Sequence, residues 1–414
     1  ALKESGALRR AEDAYRRAVA LDSGHADHFL QLGHALKLRG DAGGALLAYL
    51  EAETLDPDNQ DARRAAHEMR PLVAESAMSA LDWRPGLYPE TTDRIAAPKL
   101  FVFPDYTPTN HYQIGLYSAF APEIEVAFGA LEEAVAASAN RSVVFHLHWP
   151  EPLFGGCATA ENVSRTAAMF WRQAAVLKAN GGQLFWTAHN LLPHDRRFAD
   201  QMLAFHRRLV VEADLVHVHS AAAIEALEAA YDAKIAHPVV LPHGNYLGVY
   251  PDRISEADAK ARLGLPADAF VFSFVGQIRP YKGIEALVEA FQTLQGETSR
   301  PLHLLIAGKP VWPTAPGEWA ARGEALASVT VAEGFIADDD LQVFLKASDA
   351  VVLPYRDILT SGSAVMAAGF GRPVLLPELP TMADIIAQDP GPSFVPAVND
   401  GLVAAMRRMI EATP

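Results

Sequence analysis

Short apolar runs recur along this chain, and each ends in a polar or aromatic cluster before a stretch of helical spacing. That alternation constrains the fold more than any other feature. Lys99–Phe103, Ser142–Trp149, Gln183–His189, Asp214–Ser220 and Val239–Gly244 read as buried strands. Ala269–Val275 and Asp349–Tyr355 do so further along, and Gly371–Leu376 returns to a strand. Strands alternating with helices build parallel, doubly wound sheets, whose ligands bind at the C-terminal strand ends. The pattern predicts an α/β protein with two Rossmann-like domains, over residues 97–250 and 251–414, preceded by an all-α segment.

Length and charge bound the remaining choices. The chain has 414 residues, enough for two or three domains. Its net charge of −15, from 50 acidic and 35 basic residues, argues against a general nucleic-acid binder. A single cysteine, Cys157, excludes an internal disulfide framework and fits a reducing cytoplasm. No apolar run is long enough to span a bilayer, and no signal peptide is evident. The expected location is cytoplasmic, with peripheral contact at the inner membrane face left open. The first residue is Ala rather than Met, and the opening pattern starts mid-repeat, so upstream repeats are expected.

Residues 1–80 carry that repeat. Phe29, Leu32-Gly33, Leu36, Ala45, Tyr49, Ala52 and Pro57 fall at the spacings of the tetratricopeptide pattern. A shift of about 34 residues, the period of that repeat, pairs Gly6 with Gly40, Ala11 with Ala45, Tyr15 with Tyr49 and Ala18 with Ala52. Two repeats offer either a docking surface for a protein partner or a packed appendage. Residues 81–96, rich in Pro and Gly at their start, read as a linker.

Two segments of the last domain point to an anion. Phe274–Gly283 places a strand end, Gly276, then Arg279 and Lys282, just before the helical run that begins at Ile284. Two cations beside a helix start suit a diphosphate. The second strand end leads into Thr360, Ser361, Gly362 and Ser363, where free N–H groups and small side chains let phosphate oxygens approach. A plain Ser N-cap is the simpler alternative.

Together these segments resemble the C-terminal half of GT-B glycosyltransferases, the group 1-like bacterial sugar transferases. The matched residues are Val275–Gly283, Leu304–Gly308, Gly334-Phe335-Ile336, Ala347–Pro354 and Gly369–Val374. The resemblance implies that Gly276, Arg279 and Lys282 hold the donor diphosphate. It implies that Thr360, Ser361, Gly362 and Ser363 cap it, and that Phe335 and Ile336 border the base. Two glutamates usual in that family are replaced by Ile358 and Met366, so their roles are not carried over.

The resemblance extends to Leu147–Pro150 and Thr187–Asn190. It implies that His189 faces the donor sugar and phosphate, where a neutral imidazole hydrogen-bonds a hydroxyl and a charged one offsets leaving-group charge. Asp105, His111 and Glu151 follow strand ends and are candidates for a catalytic base. Asn110, His111, Tyr112, Gln113 and His148 are expected on the acceptor side. His146/His148 and His217/His219 recur at every second strand position, so one face of each strand lies on core or cleft. No third ligand at close spacing supports zinc, and neither metal nor cofactor is expected. The helical run 195–209 sets Phe198, Met202, Phe205 and Leu209 on one face, flanked by Arg196, Arg197, Arg207 and Arg208. It reads as a surface helix over the core or, less simply, as a membrane contact.

The expected function is transfer of a sugar from a nucleoside-diphosphate sugar to an acceptor hydroxyl on a glycan, glycolipid or protein. Stereochemistry stays open. The alternatives are a nucleotide-sugar epimerase or hydrolase on the same fold, and a catalytically degenerate repeat scaffold.

Overall fold

The computed structural model describes residues 25–38, 42–69, 98–120, 124–191, 198–311, 314–315, 317–388, 393–395 and 401–412, with five residues between 11 and 19. The chain divides into two compact units. One comprises Ala74–Gly244 with Ile358–Thr360; the other comprises Ala1–Val73, Asn245–Asp357 and Ser361–Pro414.

The first unit is built on a six-stranded parallel sheet. Its strands are β1 (Lys99–Phe103), β2 (Glu125–Phe128), β3 (Val143–Leu147), β4 (Gln183–Thr187), β5 (Leu215–Val218) and β6 (Pro238–Val240), in the order β2-β1-β3-β4-β5-β6. The order reverses between β1 and β3, which opens a crevice beyond their C-terminal ends. The core joins both layers: Phe145, Leu147, Leu184, Trp186 and Val216 from the sheet meet Phe170, Phe205 and Leu209 from the covering helices. Leu359 is buried in the same core, which accounts for the return of 358–360 to this unit. The helix Ala199–Glu212 turns Met202, Phe205, Leu209 and Val210 inward, so its apolar face is spent on the core. Arg207 bonds the Asp232 carbonyl, and Arg208 pairs with Glu212 over the Trp171 ring. Arg196 and Arg197 lie outside the described residues.

The second sheet contains β7 (Phe270–Val275), β8 (Leu302–Gly308), β9 (Val329–Glu333), β10 (Ala350–Val352) and β11 (Val374–Leu375), parallel in the order β11-β10-β7-β8-β9. Its switch point falls between β7 and β10. Every residue of β7 and β8 is buried, as expected for parallel strands covered on both faces. The helix Ile284–Gln295 buries Ile284, Leu287, Phe291 and Leu294 at helical spacing. One device recurs in both units. An aspartate just before a strand accepts the N–H of the neighbouring strand's second residue and pairs with a lysine: Asp214 with Leu184 and Lys178, Asp349 with Val271 and Lys260.

The N-terminal segment contains the helices Ala26–Leu38 and Ala42–Leu55, and residues 60–69 are also helical. Ala45, Tyr49 and Ala52 are fully buried in their core. A Cβ on Gly33 would lie 2.5 Å from the Tyr49 ring, so glycine lets the ring lie against the backbone. The Tyr49 hydroxyl is 2.8 Å from His34 Nδ1. This is a set of short packed helices; Gly6 and Gly40 of the expected repeat, and the linker 81–96, lie outside the described residues.

Candidate active site

In the second unit, the loops leaving β7 and β10 come together at the switch point. Gly276 has φ 145°, and a Cβ there would meet Ser363 Oγ at 3.0 Å and Lys282 Nζ at 3.3 Å. Gly283 has φ 71°, and its Cβ would stand 2.1 Å from the Pro354 carbonyl oxygen. The Arg356 N–H donates to the Tyr281 carbonyl at 3.0 Å, a second tie joining the loops. The glycine after Lys282 is therefore dictated by both backbone conformation and the close approach of the β10 loop.

Lys282 is 8 % exposed. Its Nζ lies 5.7 Å from the Phe274 ring centroid and 5.8 Å from that of Tyr355. Burial, then the Arg279 charge, pull its pKa down from 10.5 to about 8. No carboxylate among the described residues forms an ion pair with it. Arg279 is half-buried, its Nε held 3.0 Å from Gln277 Oε1. Ser361 caps the helix Gly362–Gly369, accepting the Ala364 N–H at 3.1 Å, and its Oγ is 2.9 Å from the Tyr355 hydroxyl. Ser361 thus serves as the simple N-cap, while Gly362 and Ser363 stay half-buried at the helix start. Met366 is buried and Ile358 half-buried, leaving apolar groups where the resemblance places carboxylates. Phe335 is 65 % exposed, an unusual cost for a phenyl ring, and Ile336 is half-buried beside it. Gly334, at φ 147°, makes the turn that presents them. Thr360 is half-buried and belongs with the first unit.

In the first unit, the switch-point crevice is lined by imidazoles. His189 Nε2 is 2.9 Å from His148 Nδ1, and Trp149 stacks on the His189 ring at 3.9 Å. The Tyr117 hydroxyl reaches both His148 Nε2 and, at 2.6 Å, His146 Nδ1. His146 Nε2 meets Thr187 Oγ1 at 2.7 Å, Thr187 Oγ1 meets His217 Nδ1 at 3.0 Å, and His217 Nε2 meets the Leu241 carbonyl at 3.0 Å. The Tyr112 hydroxyl is 2.9 Å from His219 Nε2, and its ring centroid lies 5.0 Å from that of His189. Desolvation is the main cause that lowers every one of these imidazoles, His146 to about 3 and His217 to about 4. His148, His189 and His219 fall well below the ordinary value, with neighbouring imidazoles adding to the effect of burial. Among the described residues, no three His, Cys, Asp or Glu side chains are placed to hold one metal ion. The ring nitrogens bond hydroxyls, the Leu241 carbonyl and, between His148 and His189, each other.

The structure therefore gathers His148, His189 and Tyr112 and leaves other expected residues apart. Asp105 is exposed, its carboxylate accepting the Thr107 N–H and hydroxyl at 3.0 and 2.6 Å in a local turn. Gln113 is fully buried, donating to the Pro104 carbonyl and accepting from the Tyr106 N–H, so it braces the loop. Asn110 accepts the Tyr112 N–H at 3.0 Å. His111 occupies the N-cap position of the helix Tyr112–Tyr117 without capping it through its side chain. Glu151 begins a short 3-10 turn, half-buried. Sequence reasoning missed Tyr117, Thr187 and Trp149 as partners in the cluster. The repeated His-x-His pairs were the available signal, since i and i+2 share a strand face.

Known proteins share sequence and fold with this chain. Residues 269–412 match the family model described as Glycosyl transferases group 1. A GDP-mannose:glycolipid 4-beta-D-mannosyltransferase from Xanthomonas campestris pv. campestris is 28% identical over 338 residues, covering 78% of this chain and 87% of the relative. A D-inositol 3-phosphate glycosyltransferase from Corynebacterium efficiens is 27% identical over 175 residues, 41% of each chain. Among solved structures, HepE from Anabaena in complex with UDP superposes with a TM-score of 0.52 at 16% identity, over 76% of this chain and 90% of that one. Sucrose-phosphate synthase from Thermosynechococcus elongatus gives 0.51 at 20%, over 76% and 90%. The architecture is GT-B: two Rossmann-like parallel sheets in one chain. The protein is a glycosyltransferase that uses a nucleotide-sugar donor.

Proposed function

We propose that this enzyme transfers a hexose, with GDP-mannose the leading donor, to a hydroxyl of a glycolipid acceptor. The observation that carries the donor site is Lys282: a lysine nine-tenths buried, at a switch point, with no anionic partner among the described residues. A buried charge without a counter-ion is costly, and a diphosphate supplies the missing one. Arg279 and the N–H groups at Gly362 and Ser363 extend the same anion site, and the exposed Phe335 with Ile336 offers a face to the base. Thr360 belongs to this reading through the resemblance alone. In the first unit, His189, His148 and Tyr112 serve a sugar, with Asn110, His111 and Gln113 shaping the loop beside them. Asp105 and Glu151 remain subsidiary candidates for a base.

GDP-mannose and a glycolipid are the substrates named for the Xanthomonas relative, and they support the reading here. A glycolipid acceptor brings the enzyme to a membrane surface. No helix among the described residues is long and apolar enough to cross one. The helices at 26–69 fit the tetratricopeptide reading through Gly33 and Tyr49, and serve a protein partner. The test is thermal shift with GDP, UDP, GDP-mannose and UDP-glucose, followed by transfer assays on purified glycolipid. GDP-mannose should stabilise most, and Lys282→Ala should lower transfer about a hundredfold or more with the fold intact. No shift with any nucleotide, or unchanged turnover in Lys282→Ala, would remove the assignment.

A further inference from the structure

Every proton in the histidine chain of the first unit can be placed from one fixed point. The Leu241 carbonyl only accepts, so His217 Nε2, 3.0 Å away, must carry hydrogen. His217 is buried among His219, His243 and Thr187, and no carboxylate among the described residues faces it, so it is neutral and its Nδ1 is an acceptor. Thr187 therefore donates to His217 Nδ1 and, having one hydrogen, must accept from His146 Nε2. His146 is then an Nε2–H imidazole with Nδ1 open, and the Tyr117 hydroxyl donates to it. The same hydroxyl oxygen accepts from His148 Nε2, which leaves His148 Nδ1 to accept from His189 Nε2. Six links thus point one way, and the last imidazole is left with a lone pair on Nδ1.

On this basis we infer that the chain from Leu241 to His189 fixes His189 Nδ1 as a hydrogen-bond acceptor for a carbohydrate hydroxyl, with Thr187 and Tyr117 as positioning residues. The inference rests on the glycosyltransferase reading for the identity of the ligand, but not for the tautomers. Trp149 covers one face of the His189 ring at 3.9 Å, which leaves approach in the ring plane, where the lone pair points. Among the described residues the titratable groups facing His189 are Tyr112, His148, His217, His219 and His243; none is a carboxylate, so none favours an imidazolium. Its role is to orient a hydroxyl by accepting from it, not to offset leaving-group charge. The hydroxyl belongs either to the acceptor or to the donor sugar, and both present the same chemistry.

The first test needs no substrate. Long-range proton–nitrogen correlation spectra of the 15N-labelled full chain at neutral pH should show His146, His148, His189 and His217 all in the Nε2–H form. An Nδ1–H form or an imidazolium at any of the four overturns the inference. The second test breaks the chain at Thr187, which is fully buried and reaches no substrate. Thr187→Val leaves the His146 N–H facing a methyl, which removes the reason for its direction, and His189 should acquire an Nδ1–H population. Transfer should fall about tenfold, the worth of one well-placed hydrogen bond, and Thr187→Ser should restore it. If the hydroxyl is the acceptor's, Thr187→Val spares donor affinity and lowers transfer. If it is the donor sugar's, the nucleotide sugar binds more weakly while the bare nucleotide does not. A folded Thr187→Val with wild-type transfer and donor affinity sinks the proposal. Intact tautomers with no transfer from any donor would instead refute the assigned function.

Discussion

Mild acid should destabilise the first α/β unit long before its carboxylates titrate. The cause is the buried imidazole cluster. An unfolded histidine takes up a proton near pH 6.5, whereas burial holds folded His217 to about 4 and folded His146 to about 3. As pH falls below 6.5 the unfolded chain binds protons that the folded chain refuses, so stability drops as pH falls and is level above about 7. At pH 5, each of these two residues has cost the folded state about 2 kcal/mol, or about 4 kcal/mol together. His148, His189, His206, His219 and His243 shift in the same direction. A domain typically has about 5–15 kcal/mol in hand, so the loss is a large share of the total. Urea melts at pH 8, 7, 6 and 5, read by tryptophan fluorescence, measure it directly, because Trp149, Trp171 and Trp186 all belong to this unit. The midpoint should hold from pH 8 to 7 and then fall steeply. His217→Asn should flatten the slope by about 1.4 kcal/mol per pH unit, one proton's worth. A midpoint that stays level from pH 7 to 5 would show that the native cluster accepts protons freely, and the burial argument would fail.

Four further outcomes follow from the second unit and the N-terminal helices. Lys282→Met should stabilise the ligand-free protein by up to about 3 kcal/mol, the cost of holding a charge whose pKa has dropped from 10.5 to about 8, while abolishing stabilisation by GDP; denaturant melts with and without nucleotide check both. Wild-type donor affinity should be full below pH 8 and decline as pH rises through it, because the free lysine loses its charge there; calorimetric titration across pH 7 to 9.5 would expose a flat profile. Gly283→Ala should separate the two switch-point loops, since its Cβ would lie 2.1 Å from the Pro354 oxygen, and should weaken nucleotide binding more than Gly371→Ala, whose Cβ meets open space at a similarly positive φ. Gly33→Ala should destabilise the N-terminal helices by about 1–3 kcal/mol through overpacking on Tyr49, against the gain that alanine usually brings inside a helix; a more protease-resistant variant would contradict this.

The strand ends were legible because parallel strands buried on both faces read as continuous apolar runs. Phe270–Val275 is buried at every position, and its sequence is apolar but for Ser273. The edge strand Glu125–Phe128 went unread for the converse reason: four residues, none fully buried, leave little pattern. The loop that carries the proposed anion site was legible through Gly276, Lys282 and Gly283, since glycines with positive φ beside a lysine leave a local signature. The histidine chain was not. Its links run across strands, and which rings meet depends on register: Thr187 aligns with His217, and His146 with Phe185 two positions before Thr187. Tyr117 joins from a short helix whose place over the sheet no local spacing encodes.

The two switch points show opposite solutions to the cost of burying a titratable group. In the second unit, Lys282 stays cationic near neutrality although burial opposes it, so the ligand-free site holds a charge that a diphosphate can neutralise. The free energy lost in the empty site returns on binding, which gives selectivity for anions over neutral sugars. In the first unit, four linked imidazoles avoid the cost by staying neutral and bonding through Tyr117, Thr187 and the Leu241 carbonyl, so the site holds direction rather than charge. A neutral acceptor distinguishes hydroxyls by geometry and does not attract anions. The division has a measurable corollary. Salt should weaken the contribution of the cationic site and leave that of the histidine site nearly unchanged: rising ionic strength should raise the donor dissociation constant through Lys282 and Arg279 while the effect of Thr187→Val on transfer stays constant. If salt and Thr187→Val instead prove interdependent, the histidine chain carries charge in the working enzyme, and the assignment of its protons must be abandoned.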